Sequence, residues 1–230
     1  MKKNNNNQKT SLATQAYKII QEKIITMDYE PGKHLDEKQL VSELDIGRTP
    51  IREALLRLSS EFLVETQPNR GFVVRALTLQ NIKAMFEALH ILEMGAASLC
   101  VQLNISNYIS KMSEAQKNVE TAIKKNDILR LVWANDEFHM HFTRACSNDY
   151  LIKSLRDVRY EVNRLAYLSF GGKTELVGDL LEHYRSVCRE HEQIIDSLHQ
   201  KDLSGLKKTI ETHIHSFQHR IIIYLTSSIT

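Results

Sequence analysis

Residues 47–58, GRTPIREALLRL, combine three arginines with a helical apolar rhythm, a combination suited to reading nucleic acid. Ile51, Ala54, Leu55 and Leu58 recur at the i, i+3, i+4, i+7 spacing of a buried stripe, while Arg48, Arg52 and Arg57 stay off it. One face is therefore core and the other cationic. Thr49 is suited to cap the helix through its hydroxyl, and Pro50 to occupy the first helical position, where a missing N–H leaves no partner wanting. On that count Arg52 stands at the third helical position, where a capping box would have Glu or Gln, and the first turn projects an arginine instead. A recognition helix presents such N-terminal residues to base edges in the major groove, while the helix end and nearby cations hold phosphates. A surface helix with scattered arginines is the alternative, and the flanking residues decide between the two.

Residues 36–44 (DEKQLVSEL) form a second short amphipathic helix, and residues 45–47 (DIG) a tight turn of helix-turn-helix length, closed by Gly47. Residues 62–66 and 72–75 are β-rich runs around QPNRG at 67–71, a hairpin. Helix, turn, helix and hairpin make a winged helix-turn-helix. Arg70 and Gly71 at the wing tip bring a cation and a close-approaching backbone to the minor groove or to phosphates. Residues 11–27 form a preceding helix with Tyr17, Ile20, Ile24 and Ile25 on its apolar side, and Pro31-Gly32 turns the chain. Residues 1–10 (MKKNNNNQKT), polar and of low complexity, are expected to be a disordered tail.

All three prolines lie at Pro31, Pro50 and Pro68, and the chain beyond the hairpin has strong helical periodicity and few glycines, so it reads as all-helical. Helices are expected over 79–102, 104–125, 126–147, 149–169, 175–200 and 203–225, with Thr78 or Asn81 capping the first. The expected architecture is mainly α, a winged helix-turn-helix over 11–75, a linker at 76–78 and an antiparallel helical bundle over 79–230 that binds ligand and dimerises.

The net charge of +2 divides unevenly, with 12 Lys/Arg against 10 Asp/Glu in residues 1–76 and 18 against 18 in the remainder, so the cationic excess falls where DNA would lie. No apolar run approaches the roughly 20 residues of a membrane helix, and the N-terminus lacks the pattern of a signal peptide. Cys100, Cys146 and Cys188 lie far apart with no C-x-x-C pair, which suggests neither a disulfide framework nor a thiolate zinc site. A cytoplasmic protein that avoids the membrane is expected.

The stretch GKHLDEKQLVSELDIGRTPIREALLRLSSEFLVETQPNRGFVV resembles the GntR family of bacterial transcriptional regulators in its helix-turn-helix, its R-T-P-x-R-E-A-L core and its R-G-x-x-V wing. By that resemblance Arg48 and Arg52 read bases, guanine being arginine's natural bidentate partner. Thr49 holds a phosphate, Lys38 contacts phosphate or a base edge from the second helix, and Arg70 with Gly71 acts from the wing. Gly47 stands where many relatives carry serine or threonine.

Three further stretches, NDEFHMHFTRACSNDYL at 135–151, EHEQIIDSLHQKD at 190–202 and THIH at 212–215, resemble the FCD effector domain of the FadR-type subfamily. The resemblance implies a divalent metal, zinc, nickel or manganese, held by Asn135, His139, His191 and His213. The residues are compatible with it. Asn135 and His139 are four apart on one helix face, two imidazoles come from other helices, and three histidines with a weak oxygen leave a coordination position open. Asn135 replaces the aspartate of many members and removes a charge from the ligand set; Asp136 points about 100° away. Leu89 stands in the effector pocket where many relatives have an arginine, which removes that anchor for a carboxylate.

These features imply a homodimeric regulator, a repressor, that binds a short inverted-repeat operator in double-stranded DNA and responds to a small effector, a carboxylic acid touching the metal. Two alternatives remain open at this point: a purely structural metal without effector, and a metalloenzyme. Against the enzyme, His191-Glu192 is followed by Gln193, Ile194 and Ile195 rather than completing H-E-x-x-H, and no repeated E-x-x-H supports a di-iron centre.

Overall fold

The computed structural model describes residues 11–68, 70–171 and 180–227, in two compact units that divide between Ala76 and Leu77. The expected tail at 1–10, Asn69 in the hairpin, Gly172 and the expected helix start at 175–179 lie outside the described residues.

In the first unit, α1 (Leu12–Ile25) is capped by the Ser11 hydroxyl on the Thr14 N–H. Strand β1 (His34–Leu35) precedes α2 (Glu37–Leu44), whose N-cap Asp36 accepts the Gln39 N–H at 2.8 Å. Helix α3 (Arg48–Ser60) buries Ile51, Ala54, Leu55 and Leu58, and β2 (Val64–Gln67) and β3 (Gly71–Val74) come next. The antiparallel sheet has the order β1-β3-β2, with His34 opposite Val73 and Val64 opposite Val74. Strand β1 carries no sequence signal of its own, because two residues are too few for an alternating pattern.

The structure corrects two local expectations. The N-cap of α3 is Gly47, whose carbonyl accepts the Ile51 N–H at 3.2 Å, so Thr49 and Pro50 are the second and third helical residues and Arg52 the fifth. Proline is tolerated there because the first four helical N–H groups have no partner within the helix. The α2–α3 turn is closed not by Gly47, at φ −60°, but by Asp45, at φ 52°. Aspartate is one of the few side chains that visit the left-handed region readily.

The second unit consists, among the described residues, of α4 (Leu79–Cys100), α5 (Ser106–Lys124), α6 (Ile128–Ala145), α7 (Asp149–Ser169), α8 (Leu180–Gln200) and α9 (Leu203–Ser227). Thr78, Asp127 and Asn148 cap α4, α6 and α7 through their side chains, giving three sharp starts. Helix α5 begins at Ser106, later than its expected start, and has no side-chain cap. Helix α6 packs against α4, α5 and α7, while α8 lies on α5 and α9, and α9 on α4 and α7. Phe138, Phe142 and Leu131 of α6 are fully buried with Met112 of α5 in the core. Asn135 and His139 lie on this same central helix, so their backbone is held by the best-packed element of the unit. No helix among the described residues is long and apolar enough to cross a membrane.

Candidate metal centre and nucleic-acid interface

In the first unit, Arg48 and Arg52 stand one turn apart on the exposed side of α3. Both reach the carboxylate of Glu37: Arg48 Nε donates to Oε2 at 2.8 Å and Arg52 Nη1 to Oε1 at 3.2 Å. Glu37, the first residue of α2, thereby gathers the two guanidinium groups into one cationic patch. Thr49 and Lys38 are exposed beside them. Arg70 is exposed at the wing, its Nη1 3.4 Å from Gln67 Oε1, and Gly71 has φ 68°, where any side chain would strain the backbone. His34 lies near the wing as well, its Nε2 3.8 Å from where a Cβ on Gly71 would sit.

In the second unit the structure brings together three histidines from α6, α8 and α9. One ligand atom each of His139, His191 and His213 lies within 4.8 Å of the others. Their orientation is set from behind. The His191 Nδ1–H donates to Gln116 Oε1 at 2.8 Å, and the His213 Nδ1–H to Glu190 Oε2 at 2.6 Å. His139 Nδ1 is 3.6 Å from Glu93 Oε1. In His191 and His213 the oxygen partner at Nδ1 leaves the Nε2 lone pair free to bind a metal, whereas Glu93 Oε1 is too far from His139 to hydrogen-bond it. Phe138 stacks on the His191 ring, with centroids 3.9 Å apart and planes within 11°, and fixes its plane.

The arrangement fits a cation. His139 Nε2 and His213 Nε2 face each other at 3.3 Å, and two lone pairs this close repel unless a proton or a metal lies between them. His191 Nε2 and Asn135 Oδ1 are buried without a hydrogen-bond partner, which native structures rarely tolerate. Burial holds His139 and His191 well below the ordinary imidazole pKa, so both present lone pairs near pH 7. Three imidazole nitrogens with an amide oxygen suit a first-row divalent ion.

Beside the triad is a small cavity of ≈ 40 Å³. Asn135, His139, His213, Ser169 and His183 are among its polar lining, and Leu89, Val162, Ala166 and Phe217 supply apolar wall. Leu89 thus faces the cavity, where it offers no charge. The His183 ring lies 3.0 Å from Ser169 Oγ, and burial together with nearby Arg220 pushes its pKa down to about 3. Burial raises the Glu93 carboxyl against the opposing pull of Arg159. Burial also pushes Glu190 upward, but its hydrogen bonds with His213 and Ser186 and the neighbouring imidazoles together outweigh it and leave this carboxyl below its usual range.

Sequence reasoning missed Glu37, Gln116, Glu190, Glu93 and Arg159. One signal was available, since Glu93 interrupts the apolar stripe of Ile82, Phe86, Leu89 and Ala96 on α4, and a carboxyl on a buried stripe calls for a partner. Asp136 is also placed: its Oδ1 accepts the Arg159 Nε–H at 2.7 Å.

Compared with known families, residues 84–216 match the FCD domain and residues 12–74 match the bacterial regulatory proteins of the gntR family. The chain is 28% identical over 136 residues to the Nta operon transcriptional regulator of Aminobacter aminovorans, an alignment covering 58% of this chain and 63% of that relative. It is 19% identical over 207 residues to the HTH-type transcriptional repressor RspR of Escherichia coli strain K12, covering 90% of this chain and 87% of the relative. Among solved structures, E. coli McbR/YncC matches with a TM-score of 0.77 at 19% identity, over 95% of this chain and 99% of that one, a likeness of fold.

Proposed function

The chain belongs to the GntR family of bacterial regulatory proteins, with an FCD domain in its C-terminal part, and from that premise we propose a cytoplasmic DNA-binding repressor whose operator affinity is set by a small organic acid bound beside a metal. The relatives are transcriptional regulators, so the metalloenzyme alternative is set aside. The observation that carries the proposal is the convergence of His139, His191 and His213, with the buried Asn135, its Oδ1 partnerless, one turn before His139 on the same helix and a cavity that Asn135, His139 and His213 line. A divalent ion there, zinc, nickel or manganese, would offer an open coordination position to a ligand oxygen. The adjoining cavity favours this reading over a purely structural metal, because a closed structural site needs no space beside it.

The chain's own residues supply the rest. Gln116 and Glu190 hold two imidazoles with Nε2 inward, and the apolar wall keeps water from competing with a bound acid. In a homodimer, two winged helices would read an inverted repeat with Arg48 and Arg52 on base edges, Lys38 and Thr49 on the flanks, and Arg70 with Gly71 at the wing. A ligand that weakens operator binding must itself bind less well to the DNA complex. The test is operator binding by metal-loaded and chelated protein, with and without fractionated organic acids, on a site selected from random DNA. Operator affinity that responds to an acid only in the metal-loaded protein supports the proposal, and thermal shifts that answer to metal but to no acid favour the structural metal.

Two further results are expected. Arg52→Ala should cost roughly 1–3 kcal/mol on operator and little on random DNA, as for a lost base contact. Equal losses on both DNAs in a binding titration would place Arg52 on phosphate. Glu190→Gln keeps an acceptor for His213 but removes its charge, so metal affinity by chelator competition should fall about 10–100-fold. An unchanged affinity would mean that Glu190 does not tune the ligand.

A further inference from the structure

Arg159 of α7 lines the cavity with only 2% of its surface exposed. Its guanidinium is incompletely used. Nε donates to Asp136 Oδ1 at 2.7 Å and Nη1 lies 3.7 Å from Glu93 Oε1, but Nη2 is buried with no hydrogen-bond partner. A guanidinium cannot escape by losing its proton, so these N–H groups call for an acceptor. Arg159 is the one arginine or lysine among the described residues lining the cavity.

We infer that Arg159 is the anion anchor of this cavity and that its Nη2 receives the carboxylate of a small monoanionic acid. This rests on the reading of the cavity as an effector site and names the group that selects the effector. Asp136 and Glu93 limit the charge the anchor can take. Asp136 on Nε already offsets the guanidinium charge and Glu93 near Nη1 adds nothing that favours an anion, so a phosphate dianion is opposed more strongly than a carboxylate monoanion, whose hold on Nη2 is the unmade hydrogen bond. The body of the acid then lies against Val162 and Ala166 on successive turns of the same helix, which suits a short carbon chain.

The test uses the full chain loaded with metal and titrated with acetate and lactate at constant ionic strength, against acetamide, lactamide and inorganic phosphate. Acetate and lactate should raise the melting temperature, and the neutral amides and phosphate should not. In Arg159→Gln, lactate affinity should be about ten- to a hundred-fold weaker, the loss of a charge-assisted hydrogen bond, with bound metal retained. Asp136→Asn should act in the opposite direction, because it removes the carboxylate that competes for the guanidinium, and lactate should bind several-fold more tightly. A purely structural Arg159 would not produce effects of opposite sign. Lactate affinity within about two-fold of wild type in Arg159→Gln overturns the inference, as does wild-type protein that binds neither acid. Should Arg159→Gln fail to fold, an Asp136→Asn variant with unchanged or weaker lactate affinity overturns it instead. Metal content, measured on the same samples, keeps the two readings apart. Metal-free protein whose lactate binding still depends on Arg159 removes the metal centre and leaves the anchor standing.

Discussion

Purified without chelator or affinity histidines, the protein should carry about one transition-metal ion per chain, and His191→Ala/His213→Ala should carry none. Two of the three convergent imidazoles are then gone, and His139 with Asn135 on one helix cannot hold the ion alone. The effect extends to stability. An ion present at 1,000 times its dissociation constant stabilises the folded chain by about 4 kcal/mol, so chelation should lower the wild-type melting temperature markedly. The double variant starts lower, because His191 is fully buried beneath Phe138 and its loss leaves a void. Its melting temperature should not respond to chelator, and this insensitivity distinguishes a lost ligand from a loosened core. No metal in either protein, even after incubation with zinc, nickel or manganese, would mean that the histidines form a metal-free polar cavity that hydrogen-bonds its ligand directly.

Phe138→Ala should destabilise the second unit by about 3–5 kcal/mol in urea unfolding, the range for a buried aromatic deleted from a well-packed core. Phe138 has no exposed surface, stacks on His191 and meets the His139 ring edge-on at a centroid distance of 5.4 Å. The residue therefore serves the core and the candidate centre together. Its truncation should also weaken metal binding, since the His191 ring loses the surface that fixes its plane. Phe138→Leu, which keeps most of the volume, should recover much of the stability and less of the metal affinity. A loss below about 1 kcal/mol for Phe138→Ala would mean that the surrounding helices collapse to fill the void.

The helices were legible because their signals are local. Apolar stripes such as Ile51, Ala54, Leu55 and Leu58 stand in the sequence, as do caps such as Thr78. Strand β1 was not legible, since His34 and Leu35 are extended only because they pair with Val73 and Phe72, far along the chain. The start of α3 was misplaced by a different route. Thr49 and Pro50 satisfy generic rules for a helix start, but Asp45 turns the chain early enough for Gly47 to become the cap. The three histidines that meet in the second unit could be picked out by type and order against a family pattern. Their oxygen partners could not, because Gln116 reaches His191 across 75 residues and Glu190 reaches His213 across 23, from helices whose mutual register no local pattern encodes. Arg159 was hidden for the same reason. Among many arginines, only the packing of α7 distinguishes the one whose Nη2 is buried and empty-handed.

The bridge from Glu37 to Arg48 and Arg52 carries a consequence for how ionic strength would act on a DNA complex. A free surface arginine gathers no anion of its own, and when it neutralises a phosphate the cation released from DNA makes binding fall steeply with added salt. Arg48 and Arg52 already share a carboxylate, so the three side chains together carry one net positive charge rather than two. Moved onto base edges as a group, they would displace few condensed cations, and the steep salt dependence would fall to Lys38 and the wing. Discrimination between sequences would then persist in salt concentrations that strip away much of the nonspecific affinity, and Glu37 would be the residue that separates the two.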